Sequence, residues 1–141
     1  MKKIILATLA ASLFASSGVY AAPTSVQLAD GYNAIDTVGT DINLARQFTI
    51  VAIDNRAGVV KNSFDATLSA NVIAGLVDDA TDNRLGVVAG SNKGYTVFTG
   101  SSVGGSVSQC GDPVAKGTSG LATTLVVADT IDLDEANGCG R

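Results

Sequence analysis

Between residues 63 and 77 the chain reads Ser-Phe-Asp-Ala-Thr-Leu-Ser-Ala-Asn-Val-Ile-Ala-Gly-Leu-Val, with apolar side chains at 64, 66, 68, 70, 72, 74 and 76. Up to Asn71 every intervening residue is polar. Side chains of a strand alternate between faces, so this pattern is that of a half-buried β-strand. A helical alternative is open at this point. Phe64, Leu68, Val72 and Leu76 are four apart and would share a helix stripe, with Ala66, Ala70 and Ala74 opposite. Against it, Thr67, Ser69, Asn71, Val72, Ile73 and Gly75 are poor helix formers, and no i,i+4 charge pair supports a helix. The strand reading is preferred, and the fold class follows from it.

Other runs agree. Residues 46–53 (RQFTIVAI) end in the turn-forming Asp54-Asn55-Arg56-Ala57-Gly58 and read as a strand covered on both faces. Asp78-Asp79-Ala80-Thr81-Asp82-Asn83 is the clearest turn, and residues 85–99, interrupted by Gly90-Ser91-Asn92-Lys93-Gly94, form a β-hairpin. Residues 100–105 are Gly/Ser-rich and are expected to be a mobile loop, and residues 121–128 (LATTLVVA) to be a last strand. The expected fold is all-β, or mainly β with one helix: a small antiparallel sheet or sandwich with a C-terminal disulfide loop. No repeat of 20–50 residues is visible, which speaks against a solenoid.

The first segment stands apart. Lys2 and Lys3 precede an apolar run over 4–15, and Val19-Tyr20-Ala21 is a small-residue cleavage motif. This is the pattern of a secretory signal peptide over 1–21, whose apolar run falls short of the roughly 20 residues of a membrane span. Export by the general secretory route is expected, to the cell surface or beyond, with the periplasm as the alternative. Of the 141 residues, 120 would remain, enough for one domain over 41–141 preceded by a polar N-terminal arm over 22–40. In that arm Val26 and Leu28 alternate briefly, so it is a short strand or an arm free for a partner.

Without Lys2 and Lys3, seven basic residues face thirteen acidic ones, a net charge of −6. The acidic residues are dispersed and no basic cluster occurs, which argues against nucleic acid and anionic lipid as partners. Cys110 and Cys139 are the only thiols, and in an exported chain an even pair reads as a disulfide. The absence of His removes Ser-His-Asp and Cys-His nucleophilic systems and His-containing zinc sites. There is no P-loop and no GxGxxG after a strand, so no cofactor and no enzymatic activity are expected.

Two acidic stretches could offer oxygen ligands to calcium. Asp132-Leu133-Asp134-Glu135-Ala136-Asn137-Gly138 is a D-x-D…N-G loop, with Asn and Gly one position late for an EF-hand. Asp78, Asp79 and Asp82 form the second cluster. Solvated acidic loops are the simpler account of both.

A disulfide loop of this size behind a small antiparallel sheet resembles the head domain of type IV pilins. Leu68-Ser69-Ala70-Asn71-Val72, Asn92-Lys93-Gly94-Tyr95-Thr96-Val97-Phe98 and Ser101-Ser102 are similar to globular pilin heads that some metal-reducing bacteria encode separately from a short helical pilin. The resemblance covers roughly residues 63–108. It implies a filament subunit that supplies only the outer head, since export here is by an ordinary signal peptide and no long apolar N-terminal helix is present. Chaperone-usher subunits match less well, lacking a counterpart to their early cysteine and C-terminal aromatic pattern.

The expected function is an exported, non-catalytic structural subunit of a cell-surface or extracellular filament, meeting a protein partner or further copies of itself. The small uncharged face of Thr67, Ser69 and Asn71, together with Val26 and Leu28, is the candidate contact. The alternative is a periplasmic module for a small ligand, glycan or calcium, with Tyr32, Tyr95 and the Gly-rich loops 100–105 and 117–120 lining its site.

Overall fold

A computed structural model describes residues 24–35, 42–55, 58–117, 120 and 124–141. The segment 1–21, expected to be a signal peptide, lies outside them. The alternating stretch is β-structure, but it is two strands. β4 (Phe64–Leu68) belongs to one sheet and β5 (Val72–Asp79) to another, and Asn71 turns the chain between them with φ 61°. The reason is partly one of length. A straight strand over 63–77 would run about 50 Å at ~3.3 Å per residue. A 120-residue domain has a radius of gyration of only about 14 Å. Asn is among the few side chains that tolerate the left-handed region, so the break falls there.

The smaller sheet has the order β1-β3-β4, with β1 (Thr24–Gln27) parallel and β4 antiparallel to β3 (Arg46–Val51). The larger sheet has the order β2-β5-β6-β7-β8 and is antiparallel throughout, with β2 (Gly31–Ala34), β6 (Arg84–Ser91), β7 (Val97–Ser101) and β8 (Ser108–Cys110). The described part of the 22–40 arm is thus built into both sheets. Asn33 fixes the crossing between them: its amide accepts from Ala29 N–H and donates to the Ala29 and Gly31 carbonyls.

β3 is covered mainly on one face. Arg46, Phe48 and Ile50 are buried while Gln47 is exposed, because its other side is an outer surface. Between the sheets, Leu28, Ile35, Phe48, Ile50, Ala74 and Leu76 form the first core. Buried Arg46 donates from Nη2 to the Val72 carbonyl, joining the starts of β3 and β5.

The other face of the larger sheet is covered by the C-terminal segment. Val126 packs there with Ile73, Val88 and Val97, flanked by Tyr32, Ile42, Val114, Leu125 and Ile131. The expected strand over 121–128 is not formed in its described part: Thr124 and Leu125 are helical, and Ala128–Thr130 is a 3-10 turn. These β-prone residues lie across a sheet face instead of along an edge, where burial outweighs intrinsic preference. The Cys110–Cys139 disulfide fastens this cover to β8, with Thr99 Oγ1 against both sulfurs. The 85–99 hairpin is present as β6 and β7. Part of the 100–105 segment is strand, and the rest is held: Ser102 N–H donates to the Leu85 carbonyl, and the Gly104 carbonyl accepts from Asn137 N–H.

Candidate functional site

Two of the three layers are unequal, and the mismatch leaves a surface. Cross-strand pairs place Leu76, Val87 and Gly100 on one face of the larger sheet, and Ala74, Ala89, Phe98 and Gln109 likewise. The smaller sheet covers this face over β2 and β5, where Ala74 and Leu76 are buried, and reaches Leu85 and Ala89 at its margin. At that margin Val87 is 37 % exposed, and beyond it Phe98 is 50 % and Val107 73 % exposed. They line a groove of about 410 Å³ with Leu85, Ala89 and Gly100. Its walls are almost wholly apolar, and scattered apolar residues on a surface need no explanation whereas a contiguous strip does.

A second, shallower groove of about 250 Å³ lies on the outer side of the smaller sheet, among Gln47, Thr49, Asp65 and Thr67. Thr49 Oγ1 donates to Asp65 Oδ1 at 2.6 Å across the strand pair. Among the described residues β4 is an edge strand of its sheet.

The residues expected to meet a partner are not brought together. Thr67 is exposed and lines the polar groove, paired with Gln47. Ser69 is exposed in the turn, and its carbonyl accepts from Val72 N–H. Asn71 is half-buried and structural, its N–H donating to Ile42 and its carbonyl accepting from Asn92. Val26 is half-buried against the first core, on the opposite face of the sheet from Thr67. Leu28 is 2 % exposed and belongs to the core itself, so its side chain packs within the fold. The sequence reading missed Val87, Phe98 and Val107. Val87 stands in a run, 85–89, that is apolar on both faces, Phe98 follows Val97 in a β-prone run, and Val107 is a lone apolar residue between Ser106 and Ser108.

The acidic residues considered for calcium are disposed differently from a cation cage. Asp78 and Asp79 pair with Leu85 and Arg84 respectively, and so fall on opposite faces. Arg84 takes the central place among the others: Nη2 donates to Asp79 Oδ2 at 2.9 Å and to Asp82 Oδ2 at 3.0 Å, while Nη1 donates to Asp134 and to the Leu133 carbonyl. Backbone N–H donation from Asp82, then the Arg84 guanidinium, holds the Asp79 carboxyl below its ordinary range. Asp134 first, and then Asp79, hold the Arg84 guanidinium proton more tightly than usual. Among the described residues no group of three or more His, Cys, Asp or Glu is arranged to hold a metal ion. Tyr32, considered for a ligand site, donates its hydroxyl to the Val126 carbonyl at 2.8 Å, whereas Tyr95 is exposed. Among the described residues no helix is long and apolar enough to cross a membrane.

No protein-family model matches the chain, and no curated protein or solved structure does either. The fold therefore stands on its own description: a two-sheet β domain whose larger sheet is sealed on one face by a disulfide-fastened C-terminal cover and left partly open on the other.

Proposed function

We propose that this chain is an exported, non-catalytic structural subunit of a cell-surface or extracellular filament, a globular unit comparable to a pilin head. The observation that carries the reading is the open apolar strip of Val87, Phe98 and Val107 beside the smaller sheet. With residues 1–21 removed, a net charge of −6 keeps the rest of the surface soluble and leaves burial of that strip as the attractive contribution to assembly. The edge of β4 adds backbone donors and acceptors that a neighbouring subunit can pair. A module for glycan or calcium is less well supported, because Tyr32 is committed to Val126 and Asp79 and Asp82 to Arg84.

The test uses the native host. Mature wild-type protein is expected in the sheared surface-filament fraction, and the double variant Phe98→Asp/Val107→Asp is expected to remain folded and to leave that fraction. Exposed positions of this kind alter stability by only about 0.5 kcal/mol. A monodisperse wild-type monomer without filament association, or a variant that still enters the filament fraction, overturns the reading.

A further inference from the structure

Asn137-Gly138 is the one Asn-Gly step in the sequence, and it sits immediately before Cys139. We propose that it is a latent deamidation site which the Cys110–Cys139 bridge keeps closed, so that opening the bridge leads to a permanent chemical change in the C-terminal cover. The chemistry requires no enzyme. The backbone nitrogen of Gly138 attacks Cγ of Asn137, a C–N bond forms, the Cγ–Nδ2 bond breaks, and the amide proton leaves with Nδ2 as ammonia. Water then opens the five-membered succinimide at either carbonyl, leaving aspartate or isoaspartate. Glycine in the second position imposes no side chain on the attacking nitrogen and lets the backbone reach the ring geometry.

The folded chain blocks each part of this sequence. Asn137 has φ 63° and ψ −5°. A ψ near zero eclipses the Gly138 nitrogen with the nitrogen of Asn137, so the tetrahedral Cα holds Cβ well away from the position that ring closure needs. The Gly138 N–H is engaged by the Glu135 carbonyl at 3.1 Å, and the Asn137 N–H by the Gly104 carbonyl at 2.8 Å. The carbonyl oxygen Oδ1 must gather negative charge during the attack. It is buried against Gly105 and has no hydrogen-bond donor among the described residues, so nothing stabilises that charge. At 4 % exposure the residue is also shielded from the water that the second step consumes.

The bridge is the lock because of where it lies. Cys139 directly follows Gly138, and through it the turn at 135–140 is fastened to Cys110 of β8. A dithiol reductant, itself oxidised to a disulfide as the two protein sulfurs take up its protons and electrons, would release the turn. The aspartate product would then place a carboxylate at a buried position against Gly105, and isoaspartate would add a methylene to the backbone. Either product opposes reseating of the cover.

The experiment compares mature oxidised protein with the same protein reduced by dithiothreitol and capped with iodoacetamide, both held in warm, mildly alkaline buffer. Peptide mapping follows amide loss and isoaspartate at every Asn. Conversion at Asn137 is expected to be roughly tenfold or more faster in the reduced chain, because local opening is what the bridge suppresses. The Cys110→Ala/Cys139→Ala variant, which carries no capping groups, is expected to convert as the reduced chain does, and Gly138→Ala is expected to slow conversion in the reduced chain. Equal rates in oxidised and reduced protein, conversion at other Asn residues in preference to 137, or a bridge-less variant as slow as the oxidised protein each overturns the proposal.

Discussion

Gly75 lies in the middle of β5, and its missing side chain is filled from the next strand. A Cβ built there falls 2.6 Å from the Cε2 and Cζ atoms of Tyr32, which reaches across the glycine to donate its hydroxyl to Val126. Gly75 does not have a positive φ, so alanine is compatible with its backbone and the conflict is purely one of packing. Gly75→Ala forces the ring away. Overpacking costs about 1–3 kcal/mol. Loss of the hydroxyl bond to the cover adds about 0.5–1.5 kcal/mol. The expected destabilisation is therefore about 1.5–4.5 kcal/mol, and at ~4 °C per kcal/mol the melting temperature falls by roughly 6–18 °C. The decisive measurement is a double-mutant cycle with Tyr32→Ala, read by urea unfolding in far-ultraviolet circular dichroism, since the chain has no Trp. In the Tyr32→Ala background the space is empty, and Gly75→Ala is expected to be neutral or stabilising by up to about 1 kcal/mol, the intrinsic gain of Ala over Gly in a strand. An equal cost in both backgrounds would refute the assignment of Tyr32 as the filler of this gap.

Other consequences are equally direct. Replacing both cysteines by alanine removes a closure of 29 residues, worth about 3.5 kcal/mol on the chain-entropy account, and calorimetry should record a correspondingly lower melting temperature. The Asp79 carboxyl, held below its ordinary value of 3.8, contributes stability that is fully present above that value. The contribution is lost as pH falls through the lower folded-state value, because the unfolded chain binds the proton first. Asp79→Asn should thus be less stable than wild type at neutral pH, with the difference shrinking below about pH 4. A difference that stays constant through acid unfolding would show that Asp79 carries no such linkage.

Much of this architecture was readable from local chemistry. The period-2 alternation at 63–77 identified β-structure correctly, and the turn at 78–83 and the cysteine pair kept their predicted roles. The division of that stretch into two sheets was concealed, because Ser69, Ala70 and Asn71 continue the alternation through the turn itself. The usable trace was Asn71: it shares positive φ with Asn55, Asn83 and Asn137, each at a turn, where the side chain tolerates a backbone that most residues avoid. The cover was misread for a different reason. Residues 124–128 have strand composition, and nothing local distinguishes a segment paired along an edge from one pressed flat on a face.

The open strip could not be read from residue patterns because it follows from the relative widths of two layers. In β6, Leu85, Val87 and Ala89 face one way and Gly86, Val88 and Gly90 the other, so both faces are apolar and either is suited to burial. Which positions remain exposed is decided by strand number. Five strands at ~4.8 Å spacing make a face about 20–25 Å wide, while three strands make one of about 10–15 Å. With the smaller sheet seated over β2 and β5, a strip about 10 Å wide is left over β6, β7 and β8, where Val87, Phe98 and Val107 stand. If the strip is the assembly surface, the partner must present an element of about that width, such as a pair of strands or a single helix. A substitution that enlarges Gly100, on the floor of the groove, should then weaken assembly without unfolding the domain, since its Cβ would lie 3.5 Å from Val107 and reach nothing in the core.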